Sequence, residues 1–284
     1  MAREIRTVGV VGLGAMGSGI AQLAIEAGFE TIGREVELAR AEQARDRIAH
    51  FLTRKVDKGT LALDARNAAV ARLTLTDELA PLEGCDLVIE AAFEELAVKH
   101  ELFRELETVV AADAILATNT SALSVTEIAS VLERPERALG MHFFNPAPLM
   151  PLVEIVRAER TGADVVEAAF AFGAKLGKKP IRCADTPGFV VNRVLIPLLN
   201  DCVRVLDEAG VTPADLDTGM TNGAGWPIGP CALLDLVGAD VHAHASEALY
   251  EKLREPRMAP PPRLVRMVKA GKLGRKTGEG FYTY

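Results

Sequence analysis

The run Val8-Gly-Val-Val-Gly12-Leu-Gly14-Ala15-Met16-Gly17 sets glycines in the G-x-G-x-x-G pattern, between a β-branched stretch and an apolar helical one. In that context the first glycine turns the chain out of a strand, the second admits a pyrophosphate, and the third lets helix and strand pack closely. The helix that follows offers free N–H groups and a positive dipole end to phosphate. A mere tight turn could carry the same glycines, but strand before and helix after point to a dinucleotide site built from Gly12, Gly14, Ala15, Met16 and Gly17.

About twenty residues on, where the second strand should end, stands Glu35, placed to accept hydrogen bonds from both hydroxyls of an adenosine ribose. A carboxylate there repels a 2′-phosphate, so the pattern favours NAD over NADP, with Arg34 beside it as a partial counterweight. The plainer alternative is a surface charge at a helix start, favoured by the dipole.

Up to about Asp185, short β-rich runs alternate with longer helical ones, the rhythm of a doubly wound parallel sheet. Val8 to Val11, Cys85 to Ala91, Ala114 to Thr118, Ala138 to Phe143, Leu152 to Val156 and Pro180 to Cys183 read as strands. Met16 to Ala27, Val36 to Val56, Leu96 to Val110 and Asp164 to Leu176 read as helices, the first ending at Gly28. The segment Ala184-Asp-Thr-Pro-Gly188 breaks the pattern, and no strand signal recurs beyond Phe189. We therefore expect an α/β, Rossmann-type sheet domain over 1–185 and a smaller all-helical domain over 186–284. Its first helix runs from Phe189 to Ala209, with Pro197 placed to kink it.

With 284 residues, 49% hydrophobic and 25% charged, the chain is ordinary for a two-domain globular protein, and its net charge of -7 argues against a nucleic-acid groove. No apolar run reaches the roughly 18 residues that span a bilayer, and Met1 to Thr7 runs straight into a strand with no room for a leader. Cys85, Cys183, Cys202 and Cys231 lie far apart with no C-x-x-C spacing, which fits reduced thiols in the cytoplasm and neither a disulfide framework nor a zinc site. His242 and His244, two apart on a helix, point to different sides; with His50 and His100 they read as ordinary residues, and no metal is expected.

His142 and Glu154 stand twelve residues apart in His142-Phe-Phe-Asn145-Pro146-Ala-Pro-Leu-Met-Pro-Leu-Val-Glu154. Oxidising an alcohol to a ketone needs a base for the hydroxyl proton as the hydride leaves, and imidazole suits neutral pH. A carboxylate on its other nitrogen would fix the tautomer.

Six motifs then coincide: the glycine fingerprint, Asp86-Leu-Val-Ile-Glu90-Ala91, Asn119-Thr-Ser121, His142-Phe-Phe-Asn145-Pro146, Pro187-Gly-Phe-Val-Val-Asn192-Arg193 and Gly274-Arg-Lys-Thr-Gly-Glu-Gly-Phe-Tyr282. With them the chain, from about Val8 to Tyr284, resembles the L-3-hydroxyacyl-CoA dehydrogenase family in its short bacterial, 3-hydroxybutyryl-CoA form. The resemblance implies His142 as general base, Glu154 as its orienting partner, and Ser121 and Asn192 as polar contacts of the reacting oxygen. It also implies that Glu94, Lys99 and Asn119, with Ser121, help hold the nicotinamide half of NAD. A CoA thioester would contact Ser121, His142, Asn145 and Asn192, with Lys58 at the CoA phosphate, and a homodimer through the helical domain is implied as well; should Lys58 not hold the phosphate, Arg54 and Lys55 are next in line.

Duller alternatives stand beside these roles. Ser121 could cap a turn, Glu154 could point outward from an edge strand, Asn192 could cap the long helix, and Lys58 could be a solvated lysine near a helix end. Ala122 replaces a second serine, Pro151 a frequent lysine, and Gly33 and Arg34 interrupt the usual apolar end of the second strand. Two rival functions remain at this point: a related dehydrogenase of a free acid, such as the gulonate enzyme resembling lambda-crystallin, and a crystallin-like protein without activity.

Overall fold

The computed structural model describes residues 4–284. The chain divides into two compact units, one ending at Thr186 and the other spanning Pro187–Tyr284. The first carries an eight-stranded sheet, β1 (Thr7–Val11), β2 (Glu30–Arg34), β3 (Leu73–Thr76), β4 (Leu87–Glu90), β5 (Ile115–Thr118), β6 (Ala138–Phe143), β7 (Leu152–Arg157) and β8 (Lys179–Ala184), in the order β3-β2-β1-β4-β5-β6-β7-β8. Its helices are α1 (Ala15–Glu26), α2 (Leu38–Asp57), α3 (Leu63–Ala71), α4 (Leu96–Val109), α5 (Val125–Ala129) and α6 (Ala163–Lys175).

Strand alternation sorts the apolar residues onto two covered faces. Val8, Val10, Leu87, Ile89, Ile115 and Ala117 join one core with α1, α2 and α6, while Val11, Val88 and Leu116 join the other with Leu102, Phe103 and Leu106 of α4. A sheet buried on both sides has near-continuous apolar strands. In that setting Glu90, fully buried at the end of β4, needs partners of its own.

All neighbouring strands run parallel except β6 and β7. Their connection, residues 144–151, is shorter than the dozen or so residues a parallel crossover needs, so β7 turns back along β6. Sequence rhythm alone gives no β3, α3 or α5. Each is short, and α3 buries only Ala69, too little to leave an apolar stripe.

The second unit is helical, with α7 (Val191–Glu208), α8 (Pro213–Thr218), α9 (Pro230–Val237), α10 (Ala239–Leu253) and α11 (Pro262–Lys269). α7 continues through Pro197, and prolines open α8, α9 and α11, where the missing N–H has no intrahelical partner to lose. Leu199, Val203, Leu234, Ala239 and Leu264 form its main core. The glycine-rich tail folds over Asp235, whose carboxylate accepts the Phe281 and Tyr282 amides, both at 2.9 Å. A Cβ at Gly280 would stand 2.0 Å from Asp235 Oδ1, so only glycine passes there. His242 bonds Asn200 Oδ1 through Nε2 at 3.0 Å, and burial pushes its pKa down to about 4, while His244 is exposed. Among the described residues no helix is long and apolar enough to cross a membrane, and no group of three or more His, Cys, Asp or Glu could hold a metal.

Candidate active site

The glycine loop joins β1 to α1. Gly12 has φ +87°, and a Cβ there would lie 2.7 Å from the Ala91 carbonyl oxygen; both observations demand glycine. At Gly17 a Cβ would sit 1.7 Å from the Gly12 oxygen, so the start of α1 rests directly on the loop. Gly14 faces open space, and Ala15 beside it is exposed. This leaves main-chain N–H groups at a helix start with room before them, the geometry that receives a phosphate.

Glu35 follows β2. Its Oε2 accepts the Leu13 amide and its Oε1 the Val36 amide, both at 2.9 Å, so it braces the loop as well as facing the cavity beside it. That cavity, about 600 Å³, is lined by Gly12, Gly14, Glu35, Arg34, Arg40 and Arg47 among others. Arg40 and Arg47 come from α2 and have no signature in the sequence; their charge opposes that of Glu35. Gly33, irregular as a strand residue, makes way for Leu13, whose Cδ1 would be 3.0 Å from an added Cβ.

The β6–β7 register sets His142 directly opposite Glu154. Residues paired this way project to the same face of the sheet, close enough for their side chains to touch. His142 Nδ1 and Glu154 Oε2 are 2.6 Å apart, with His142 only 5% and Glu154 0% exposed. Because β8 covers β7, Glu154 does not sit on an edge strand. The Phe144 ring packs on the imidazole with centroids 4.5 Å apart.

Around the neighbouring strand ends runs a second polar network. Glu90 accepts the Lys99 ammonium at 2.6 Å, the Thr118 hydroxyl at 2.6 Å and the Ala92 amide at 2.7 Å. Lys99, 1% exposed, also reaches Glu94 at 3.3 Å. Glu94 accepts the Thr120 hydroxyl at 2.5 Å and the amides of Ser121 and Ala122 at 2.9 and 3.2 Å. Burial works to raise its pKa, but Lys99 and these donors together hold it below the usual value. Asn119 ties the same loop to β6, accepting the Phe143 amide at 3.0 Å. Glu94, Lys99, Asn119 and Ser121 are thus brought together, and the departure at Ala122 leaves intact the main-chain amide used there. Glu90, Thr118 and Thr120 carry no role of their own in the sequence reading, although a carboxylate ending an otherwise apolar strand is a signal for the first.

A third feature is a cavity of about 530 Å³ lined by Phe51, Arg54, Lys58, Asn145, Pro146 and Leu149 among others. Lys58 caps the end of α2; Lys55, also on this wall, is paired with Glu26. Asn192 belongs to the second unit, in the first turn of α7. The N-cap position there is Val190, so Asn192 does not cap the helix.

The family described as "3-hydroxyacyl-CoA dehydrogenase, NAD binding domain" matches residues 7–186, and "3-hydroxyacyl-CoA dehydrogenase, C-terminal domain" matches residues 188–284. The chain belongs to the 3-hydroxyacyl-CoA dehydrogenase family, oxidoreductases with a nicotinamide-binding sheet domain. It is 43% identical to the 3-hydroxybutyryl-CoA dehydrogenase of Mycobacterium tuberculosis over the full length of both. It is 39% identical to the 3-hydroxyadipyl-CoA dehydrogenase of Escherichia coli K12, covering 99% of this chain and 59% of that protein. The crystal structure of (S)-3-hydroxybutyryl-CoA dehydrogenase from Ralstonia eutropha superposes with a TM-score of 0.96 at 40% identity, covering 99% of each chain.

Proposed function

We propose that this protein interconverts an L-3-hydroxyacyl-CoA, with a short acyl chain, and the corresponding 3-ketoacyl-CoA using NAD. The observation that carries this reading is the buried His142–Glu154 pair at 2.6 Å. With Nδ1 committed to the carboxylate, Nε2 is the nitrogen that takes the hydroxyl proton on oxidation and returns it on reduction, and Glu154 stabilises the imidazolium in between. The Ser121 hydroxyl donates to the oxygen as charge develops on it; Asn192 has the same task by family resemblance. When bound, the nicotinamide supplies the hydride acceptor. Gly12, Gly14, Ala15, Met16 and Gly17 would hold the pyrophosphate and Glu35 the adenosine ribose. Of the nicotinamide-side group, Ser121 and Glu94, the latter with a side chain 40% exposed, are open to a ligand; Lys99, 1% exposed, supports Glu94 from behind.

The test is oxidation of NADH and of NADPH, each with acetoacetyl-CoA and with free acetoacetate. NADH with acetoacetyl-CoA should be fastest; a preference for the free acid would replace this reading with the gulonate-type one. Glu35→Ala should narrow the preference for NADH over NADPH, and an unchanged ratio of kcat/KM for the two removes Glu35 from ribose recognition.

The 530 Å³ cavity is our candidate for the CoA moiety, with Lys58 drawing the phosphate by charge. Lys58→Ala should raise KM for acetoacetyl-CoA with little change in kcat, as when ground and transition states lose the same contact. The N-acetylcysteamine thioester, which has no phosphate, should not distinguish mutant from wild type; equal impairment with both substrates would move the CoA site elsewhere.

A homodimer through the second unit belongs to the same reading. Val194, Leu236 and Val241 there are 62%, 54% and 51% exposed, an apolar set suited to a partner, and sedimentation of a monomer at micromolar concentration would contradict it. We place the enzyme in the cytoplasm, where four separate free thiols suit a reducing milieu; cell fractionation tests this.

A further inference from the structure

Lys178 lies between Gly177 and β8 and is 8% exposed. Its ammonium donates to the carbonyl oxygens of Ala147 at 2.6 Å and Met150 at 2.9 Å. Among the described residues no carboxylate lies within ion-pair distance of it, the nearby Glu26 being paired with Lys55. Enclosing an ammonium with carbonyl dipoles alone is costly. Burial is the main cause holding its pKa below the ordinary lysine value; repulsion from Lys55 adds to this and Glu26 opposes it. A neutral or apolar side chain would avoid that cost, so the cation's use must lie in what it grips.

What it grips is the connection 144–151, with β6 and His142 at one end and β7 and Glu154 at the other. The loop also packs on α1 at Gly19, where an added Cβ would lie 2.9 Å from Pro148 Cδ and 3.1 Å from Ala147 Cβ. Asn145, Pro146, Pro148 and Leu149 of the loop form one wall of the 530 Å³ cavity. The amides of Leu149 and Met150 both turn back onto the Pro146 carbonyl at 3.0 Å. The loop therefore directs two carbonyls inward that need donors, and Lys178 provides both.

We propose that Lys178 is a positioning residue: its buried ammonium fastens the main chain of loop 144–151, which joins the strands of His142 and Glu154, and so fixes one wall of the candidate CoA cavity. The substrate half of this statement rests on the acyl-CoA reading above; the grip on the loop does not.

Two measurements on the full chain test it. In hydrogen exchange, the peptide covering 145–151 should exchange about tenfold faster in Lys178→Met than in wild type, since loss of a charged donor frees the turn, with β1 unchanged as internal reference. In steady-state kinetics, Lys178→Met should raise KM for acetoacetyl-CoA about tenfold with a smaller change in kcat and an unchanged Kd for NADH, and Lys178→Arg should restore most of both effects. A residue needed only for folding would lower the active fraction and leave KM where it was. Unchanged exchange at 145–151 overturns the grip; faster exchange with unchanged KM overturns the role in the cavity wall. If wild type itself ignores acetoacetyl-CoA, the functional reading falls while the exchange experiment still decides the grip. Should Lys178→Met not fold, Lys178→Gln takes its place in both measurements, with the same outcomes decisive.

Discussion

His142→Gln is expected to lower kcat by roughly 10²- to 10⁴-fold, the usual worth of a positioned general base, or about 3 to 5 kcal/mol of barrier. The amide keeps the size and polarity of the ring but cannot carry the proton. NADH should still bind, because the glycine loop and Glu35 stand on other strands. Glu154→Gln should also depress kcat, since an amide at 2.6 Å from Nδ1 cannot stabilise the imidazolium as a carboxylate does. Stopped-flow or steady-state reduction of acetoacetyl-CoA reads both, and near-normal turnover in the His142 variant would end the proposed mechanism.

The largest effect on stability is expected at Lys99. Lys99→Met leaves Glu90, wholly buried, without its cation, and breaking a buried pair from one side costs about 3 to 5 kcal/mol. Removing the other charge as well should recover much of that loss, so Glu90→Gln combined with Lys99→Met should be more stable than Lys99→Met alone. Urea unfolding followed by circular dichroism measures the series, and a loss under about 1 kcal/mol in the single variant would mean that the network is solvated after all. Because Glu94 hangs on the same lysine and in turn holds the Ser121 and Ala122 amides, the variant should also weaken NADH binding.

Local chemistry was legible in the sequence; long-range register was not. The glycines at 12 and 17 announce their loop because each meets a demand only glycine satisfies, and Gly14 between them leaves open space before the helix start. The strands of the sheet centre announce themselves because burial on two faces leaves them apolar throughout. His142 and Glu154 could be named as a pair, but a spacing of twelve does not say that the chain reverses between them and sets them opposite each other. Glu90 stands in a recognisable motif, but its role is not legible because its partners come from α4 and from β5, and that of Arg40 and Arg47 is not because helix charges usually face solvent. Lys178 is the plainest case. A lysine after a glycine at a turn looks like a solvated side chain, and only the folded loop 144–151 gives it carbonyls to bind. β3 and α3 escaped for another reason: at the margin of a sheet, short elements bury too little to leave a periodic trace.

The hairpin formed by β6 and β7 separates two requirements that a dehydrogenase must reconcile. Side chains alternate along a strand with period two, so slipping β7 by a single residue would bring Val153 or Ile155 opposite His142 and turn the carboxylate to the other face. His142 and Glu154 thus stay opposite each other only while no single residue is inserted or deleted between them within either strand. Between them, the loop is held through carbonyl oxygens, a group that every amino acid supplies. The exposed side chains of Leu149 and Met150 are consequently free to change without loosening that hold, while His142 and Glu154 on either side keep their alignment.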